Sequence, residues 1–213
     1  MNSQSETAYK QIKDMIFRME LLPGSHIPEL GIAAKLSISR TPVHDALRQL
    51  ASEGLVTITQ NRGAAVTCFS DQEIAEIGAV RLSQDILAAQ LASYYGNAAD
   101  FDQLIQLADA CQEAAARGDV YRRIRTDVEF HLAISRVSRN SRLIRQQYAL
   151  YQQIHLIQIS KYTDVEQSLL QIHLHHPLAQ AIRAEDHEQI RALTFQHIRD
   201  FFHLDSYLFK CLQ

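Results

Sequence analysis

The stretch "SISRTPVHDALRQLASEGLV", residues 37–56, decides the fold. It sets an Arg-Thr-Pro turn in front of an apolar helix that carries Arg48, and it closes that helix with Glu53-Gly54. Ser39 suits an N-cap, and Pro42 is tolerated in a first helical turn, where its missing N–H costs nothing. On the N-terminal side, "IPELGIAAKLSI" predicts a short helix with Leu30, Ala33, Ala34 and Leu36 on one face, joined to the next by Ser37-Ile38-Ser39. Two helices across so tight a connection read as a helix-turn-helix. On the C-terminal side, "LVTITQ" alternates as a strand does, "NRG" suits a tight turn, and "AAVTCF" returns as a second strand. Upstream, "AYKQIKDMIFRME" predicts a first helix with Ile12, Met15, Ile16 and Met19 at helical spacing, ended by Pro23-Gly24. A hairpin after a helix-turn-helix is the wing of a winged helix.

Charge assigns that module a partner class. The chain has 213 residues and a formal net charge of -3, so binding to nucleic acid has to rest on a local patch. Such a patch runs from Lys35 to Arg62, with Lys35, Arg40, Arg48 and Arg62 set against Asp45 and Glu53. In this fold the N-terminal residues of the second helix face the major groove, where arginine bonds guanine O6 and N7 and free backbone N–H groups meet phosphate. The candidate DNA-binding residues are Arg40, Thr41, His44 and Arg48 on that helix, and Arg62 and Gly63 at the hairpin tip.

From Ala79 onward the chain reads as long amphipathic helices broken at "YYGNAAD", "ARGD", "SRNS" and "AED". The fold class is therefore mainly α: a winged helix-turn-helix over 1–69, then an all-α antiparallel bundle over 70–213. On the first long helix Ile74, Ile77, Val80, Leu87 and Leu91 are expected towards the core. Arg81 and Asp85, four apart, read either as a surface ion pair or as an anion-binding arginine facing a pocket. No apolar run is long enough to cross a membrane, and "MNSQSETAYK" lacks the apolar core of a secretory signal, so a cytoplasmic protein is expected. Cys68, Cys111 and Cys211 are odd in number and far apart, as reduced structural thiols are.

"RIRTDVEFHLAISRVSRNS" places Asp127 and His131 one turn apart on one helix face, a spacing that presents two metal ligands. Downstream lie His173, His175, His176, His187 and His197, with His175 and His197 22 positions apart across the "AED" break. Two antiparallel helices hinged there would bring that pair level, and one Asp with three His can hold a divalent cation. Any one histidine alone reads better as a surface or satisfied core residue.

The segment from "LLPGSHIPEL" through "SRTPVHDAL", "LASEGLV" and the Gly wing resembles the winged-helix domain of the GntR family of bacterial transcription regulators over about residues 8–69. His44 and Asp45 stand where that family usually has Arg and Glu, which removes a positive charge from the helix. The helical half resembles the FCD ligand-binding domain of the FadR subfamily. That resemblance implies Asp127, His131, His175 and His197 as metal ligands, with His176 competing for the His175 place. It also implies a divalent ion, with zinc favoured by three imidazoles and one carboxylate and nickel or manganese open. A six-helix bundle, a small carboxylate effector on the metal, Arg81 and Asn140 as effector residues, operator DNA and a homodimer complete what it implies. The first long helix, starting directly after the wing, is the expected lever between effector and DNA. The other reading, a metal-dependent hydrolase or lyase, needs a general base that Glu129 would not supply, since it points away from Asp127 and His131, and no HExxH, G-x-S-x-G or phosphate loop is present. The expectation is a regulator and not an enzyme.

Overall fold

A computed structural model describes residues 3–161 and 172–211. It divides the chain into two compact units, residues 1–69 with 152–160, and residues 70–151 with 161–213.

In the first unit, α1 (Ser3–Phe17), α2 (Glu29–Lys35) and α3 (Arg40–Ser52) precede β1 (Val56–Thr59) and β2 (Gly63–Val66). The strands pair antiparallel from Val56↔Val66 to Thr59↔Gly63, so the predicted wing is a hairpin. Ile12, Ile16, Ile27, Val43, Leu47, Leu50 and Leu55 are buried and form the core. The Glu-Gly that closes α3 has two separate tasks. Gly54 takes a left-handed turn at φ 76°, a conformation cheap only for glycine. Glu53 is buried and accepts from Tyr9 Oη at 2.7 Å and from Lys13 Nζ at 3.0 Å, which ties α1 to the end of α3.

Four local expectations need correction here. The first helix ends at Phe17, before Pro23, because Met19 already sits at φ 58° and breaks the ladder. On α2 the buried residues are Ile32 and Ala33, while Leu30 is 70% exposed: seven residues make only two turns, and the inward face is one residue out of register with the apolar spacing. Ser39 occupies the N-cap of α3 in extended conformation, but its hydroxyl makes no capping bond. Residues 152–160, expected with the helical half, belong to the first unit, where His155 is buried and stacks on Phe17 with ring centroids 3.8 Å apart.

The second unit holds α4 (Asp71–Tyr95), α5 (Ala98–Ala116), α6 (Val120–Val137), the first part of α7 (Ser141–Lys161), α8 (His175–Arg183), α9 (His187–Arg199) and α10 (Ser206–Cys211). Six of these are long enough for the expected bundle, and α10 is a single short turn-and-a-half. Each predicted break is built from cap chemistry. Ser70 with Glu73 and Asn97 with Asp100 form reciprocal capping boxes, and Asp119 and Asp186 accept from the first turns of α6 and α9. Gly118, Arg139 and Glu185 take positive φ where the preceding helices end.

Helix α4 departs from expectation on one face. Ile74, Leu82, Ile86, Ala89 and Ala92 face inward together with Gly78, Arg81 and Asp85, while Val80 is 50% and Leu87 45% exposed. Apolar residues are spread around the helix rather than gathered on one face, so spacing alone does not choose its inner face. The choice follows from the buried Arg81–Asp85 pair and from Gly78, where a Cβ would overlap the Phe202 side chain. Cys111 is buried, and burial pushes its thiol up to about 12, while Cys68 is exposed; the Cys211 side chain lies outside the described residues. Among the described residues no helix is long and apolar enough to cross a membrane.

Candidate functional site

In the first unit, Arg40, Thr41, His44 and Arg48 lie exposed on α3, and Arg62 is exposed in the turn of the hairpin. Glu29, at the start of α2, is largely covered and accepts from Arg40 Nε at 3.1 Å. His44 Nδ1 lies 4.0 Å from the same carboxylate oxygen. The guanidinium of Arg40 is thereby held by one nitrogen with its terminal nitrogens outward. Gly63 takes φ 79°, and a Cβ there would press on His26 Nε2, so the wing can fold back closely only with glycine at this place. His26 itself was not singled out by spacing or charge. A groove of ≈ 390 Å³ between α2 and the wing is lined by His26, Pro28, Leu30, Arg40, Arg62 and Gly63 among others.

In the second unit, Asp127, His131, His175 and His197 come together, all buried, each offering one ligand atom within 4.8 Å of the others. Helix α6 supplies the first two, one turn apart. Helix α8 supplies His175 as its first residue, and α9 supplies His197 from its last turn. Asp127 Oδ1 is 3.1 Å from His175 Nε2, 3.9 Å from His131 Nε2 and 4.0 Å from His197 Nε2, and the two nitrogens of His131 and His197 are 3.0 Å apart. Tetrahedral ligands ~2.0–2.1 Å from a zinc ion stand roughly 3.4 Å from one another, so these spacings bracket such a site. Phe130 stacks on His175 at 4.5 Å and fixes that ring. His176, the competitor for this place, turns to Asp109 at 3.0 Å on the partly exposed side.

The electrostatics suit a cation. Burial works to raise the Asp127 carboxyl, but the hydrogen bond with His175 and the Arg123 guanidinium nearby help to outweigh it and hold the group well below the usual carboxylate range. Burial first, and then the Arg81 charge, keep the His131 imidazole well below its ordinary value, so it is neutral with a lone pair to donate. The donor set is one carboxylate and three imidazoles, His131 among them neutral, which fits a divalent ion of the zinc or nickel kind.

Arg81 and Asp85 belong to this place and not to the surface. They are 1% and 6% exposed, and Arg81 Nε donates to Asp85 Oδ2 at 3.1 Å. Arg81 Nη2 lies 3.1 Å from His131 Nε2. Two residues that the sequence did not single out complete the network: Gln147 Nε2 donates to Asp85 Oδ1 and Tyr151 Oη to Asp85 Oδ2, each at 2.7 Å. Burial raises the Asp85 carboxyl against the pull of Arg81, and burial holds the Tyr151 hydroxyl well above its usual range, so that it stays a donor. His131 Nδ1 lies 3.8 Å from Asp85 Oδ2, and Nε2 faces Arg81 Nη2, which can only donate, at 3.1 Å, so the lone pair lies at Nε2. A cavity of ≈ 10 Å³, about the size of one water, opens beside His131, Asp85, Leu178 and Thr194.

Asn140 is placed elsewhere. Its amide oxygen accepts from the Arg142 and Leu143 N–H groups at 3.1 Å, so it caps α7, and none of its hydrogen bonds reaches the cluster. Glu129 is half exposed and lies 3.9 Å from Arg125 on the outer side of α6, so it offers no base to the cluster.

Comparison with known proteins agrees with this architecture. The family described as bacterial regulatory proteins, gntR family, matches residues 4–66, and the FCD domain matches residues 76–200. The chain is 28% identical over 199 residues to a probable D-xylose utilization operon transcriptional repressor of Paenarthrobacter nicotinovorans, covering 90% of this chain and 86% of the relative. It is 24% identical over 198 residues to the uncharacterized HTH-type transcriptional regulator YdhC of Bacillus subtilis strain 168, covering 92% and 87%. The solved structure of E. coli McbR/YncC superposes with a TM-score of 0.82 at 22% identity over the whole of both chains, which shows the fold. A helix-turn-helix with a hairpin wing followed by an FCD bundle makes this chain a member of the GntR family of transcriptional regulators, a family of DNA-binding proteins and not of enzymes.

Proposed function

We propose that this regulator is a cytoplasmic homodimer that binds operator DNA through Arg40, Thr41, His44, Arg48, Arg62 and Gly63, and that a small organic acid on a metal ion held by Asp127, His131, His175 and His197 controls its affinity. The observation that carries the reading is the convergence of four buried donors within 4.8 Å with a guanidinium 3.1 Å from one of them. With His131 Nε2 serving as a ligand, its lone pair would no longer be available to Arg81 Nη2, 3.1 Å away. The Arg81 guanidinium would then be suited to an anion bound beside the four ligands. The one-water cavity has no room for an organic acid, so the acid enters only as side chains move; Asp85 and His131 line that cavity, and Arg81 contacts both. Its helix follows the wing in the chain, which is the proposed route to the DNA-binding unit. Coupling of ~1–3 kcal/mol changes operator affinity about 5- to 150-fold.

The test is an operator obtained by selection from random duplexes, followed by gel-shift titration of metal-loaded and chelated protein against mono- and dicarboxylic acids. Operator affinity indifferent to every acid and to metal removal would reject effector control. On the same operator, Arg40→Ala is expected to cost roughly 1–3 kcal/mol and to relax specificity at one base pair, while Arg62→Ala weakens binding with less discrimination between sequences. An unchanged affinity for Arg40→Ala would remove that residue from the readout.

The homodimer has its own support on α4. Val80, Leu87 and Tyr94 are exposed at seven-residue intervals, and the half-buried Gln84 and Leu91 fall between them at spacings of four and three. That is the seam of a two-stranded coiled coil, with Gln84 as its one polar position. A two-fold pair of winged helices also suits a two-fold operator. Leu87→Glu is expected to give a monomer in light scattering and to weaken operator binding sharply; a dimer of wild-type stability would place the interface elsewhere.

A further inference from the structure

The groove between α2 and the wing carries one large, exposed apolar side chain among charged and small residues. Leu30 is 70% exposed on α2, a short helix on which Ile32 and Ala33 are buried. It shares its groove with Arg40 at the start of the recognition helix and with Arg62 in the wing. Neighbouring Glu29 holds Arg40 by Nε, and Arg40 and Leu30 are both exposed side chains lining this one groove. A base edge in the major groove offers the complement: the guanine O6 and N7 for an arginine, and the thymine C5-methyl for an apolar side chain. Two flanking arginines make a negatively charged occupant the fitting one, and the thymine methyl is the apolar group such an occupant carries.

Resting on the operator-binding reading above, we infer that Leu30 reads the C5-methyl of a thymine in the operator, close to the base pair that Arg40 contacts. It is a specificity-determining residue on α2, outside the recognition helix. The contact buries about one methyl group, which corresponds to about a fourfold preference for thymine over deoxyuracil at a single position.

The experiment uses the full chain and its selected operator, in which each thymine is replaced in turn by deoxyuridine. Wild type is expected to lose about fourfold in affinity at one thymine, Leu30→Ala to bind with no discrimination there, and Leu30→Met to keep part of it. The exposed position lets all three chains fold alike, which a thermal melt checks. A deoxyuridine profile identical in wild type and Leu30→Ala overturns the inference, and so does a uniform loss in Leu30→Ala on operator and random duplex alike, which would mean packing against the sugar-phosphate backbone. Failure of the wild type to select any duplex would overturn the operator-binding reading itself, an outcome distinct from either.

Discussion

Replacing His131 by Ala is expected to strip the protein of its metal, with elemental analysis finding a single equivalent in wild type and a trace in the variant. His131 faces three partners through one nitrogen: His197 at 3.0 Å, Arg81 at 3.1 Å and Asp127 at 3.9 Å. Its loss removes a ligand and leaves the Arg81 cation next to the remaining three. Metal bound only to the folded chain stabilises by mass action, about 2.7 kcal/mol when the ion is a hundredfold above its Kd. For a chain of this size that is roughly 5–11 °C in Tm, present in wild type with metal and absent in His131→Ala. His197→Ala should behave alike, and His176→Ala, whose side chain turns to Asp109, should keep the metal. Wild-type metal content in His131→Ala, or its loss in His176→Ala, would reject the ligand set. The pH dependence has a definite sign. The folded protein holds His131 well below its ordinary value, so below about pH 6.5 the unfolded chain binds a proton that the folded chain refuses. Stability from this group is present above that pH and is lost as the pH falls, and the metal, which needs neutral imidazole, is lost in the same direction.

The parts of this molecule that were legible in the sequence are those encoded by neighbours in the chain. Breaks between helices were readable because Asn97, Asp119, Asn140 and Asp186 act on N–H groups two or three residues on. Asp127 and His131 were readable because a single turn of helix presents them together. His175 and His197 are different: many histidines crowd that stretch, and the resemblance to the FCD domain, rather than any local rule, points to them while leaving His176 open against His175; in the structure His176 turns to Asp109. What pairing over long separations decides was not readable. Gln147 and Tyr151 reach Asp85 across 62 and 66 residues, and neither has a partner pattern in its own helix. Likewise the inner face of α4 follows from the buried Arg81 and Asp85, which an apolar-spacing rule assigns to the outside. Asn140 shows the other side of local chemistry, since its amide oxygen caps α7 through the Arg142 and Leu143 N–H groups.

Asp85→Ala is expected to destabilise the chain by about 3–5 kcal/mol, because it leaves the buried Arg81 guanidinium without its carboxylate. Gln147 and Tyr151 lose their acceptor in the same step, and a buried donor left unpaired costs further. Urea denaturation measures the loss, and a change below about 1 kcal/mol would mean that the ion pair is open to water. Arg81→Met alone should be as costly, since it strands the Asp85 carboxylate. The double change Arg81→Met with Asp85→Leu removes both charges and fills their volume, so it should recover most of the stability, as buried pairs replaced by apolar side chains do. That stable double variant separates the two roles of Arg81. It retains Asp127, His131, His175 and His197, so it should bind metal and operator as wild type does. If Arg81 grips the acid whose carboxylate meets the metal, the operator affinity of the double variant no longer responds to the acid that moves wild type. If Arg81 only balances Asp85 inside the bundle, the response survives undiminished and the anion must be held by the metal alone.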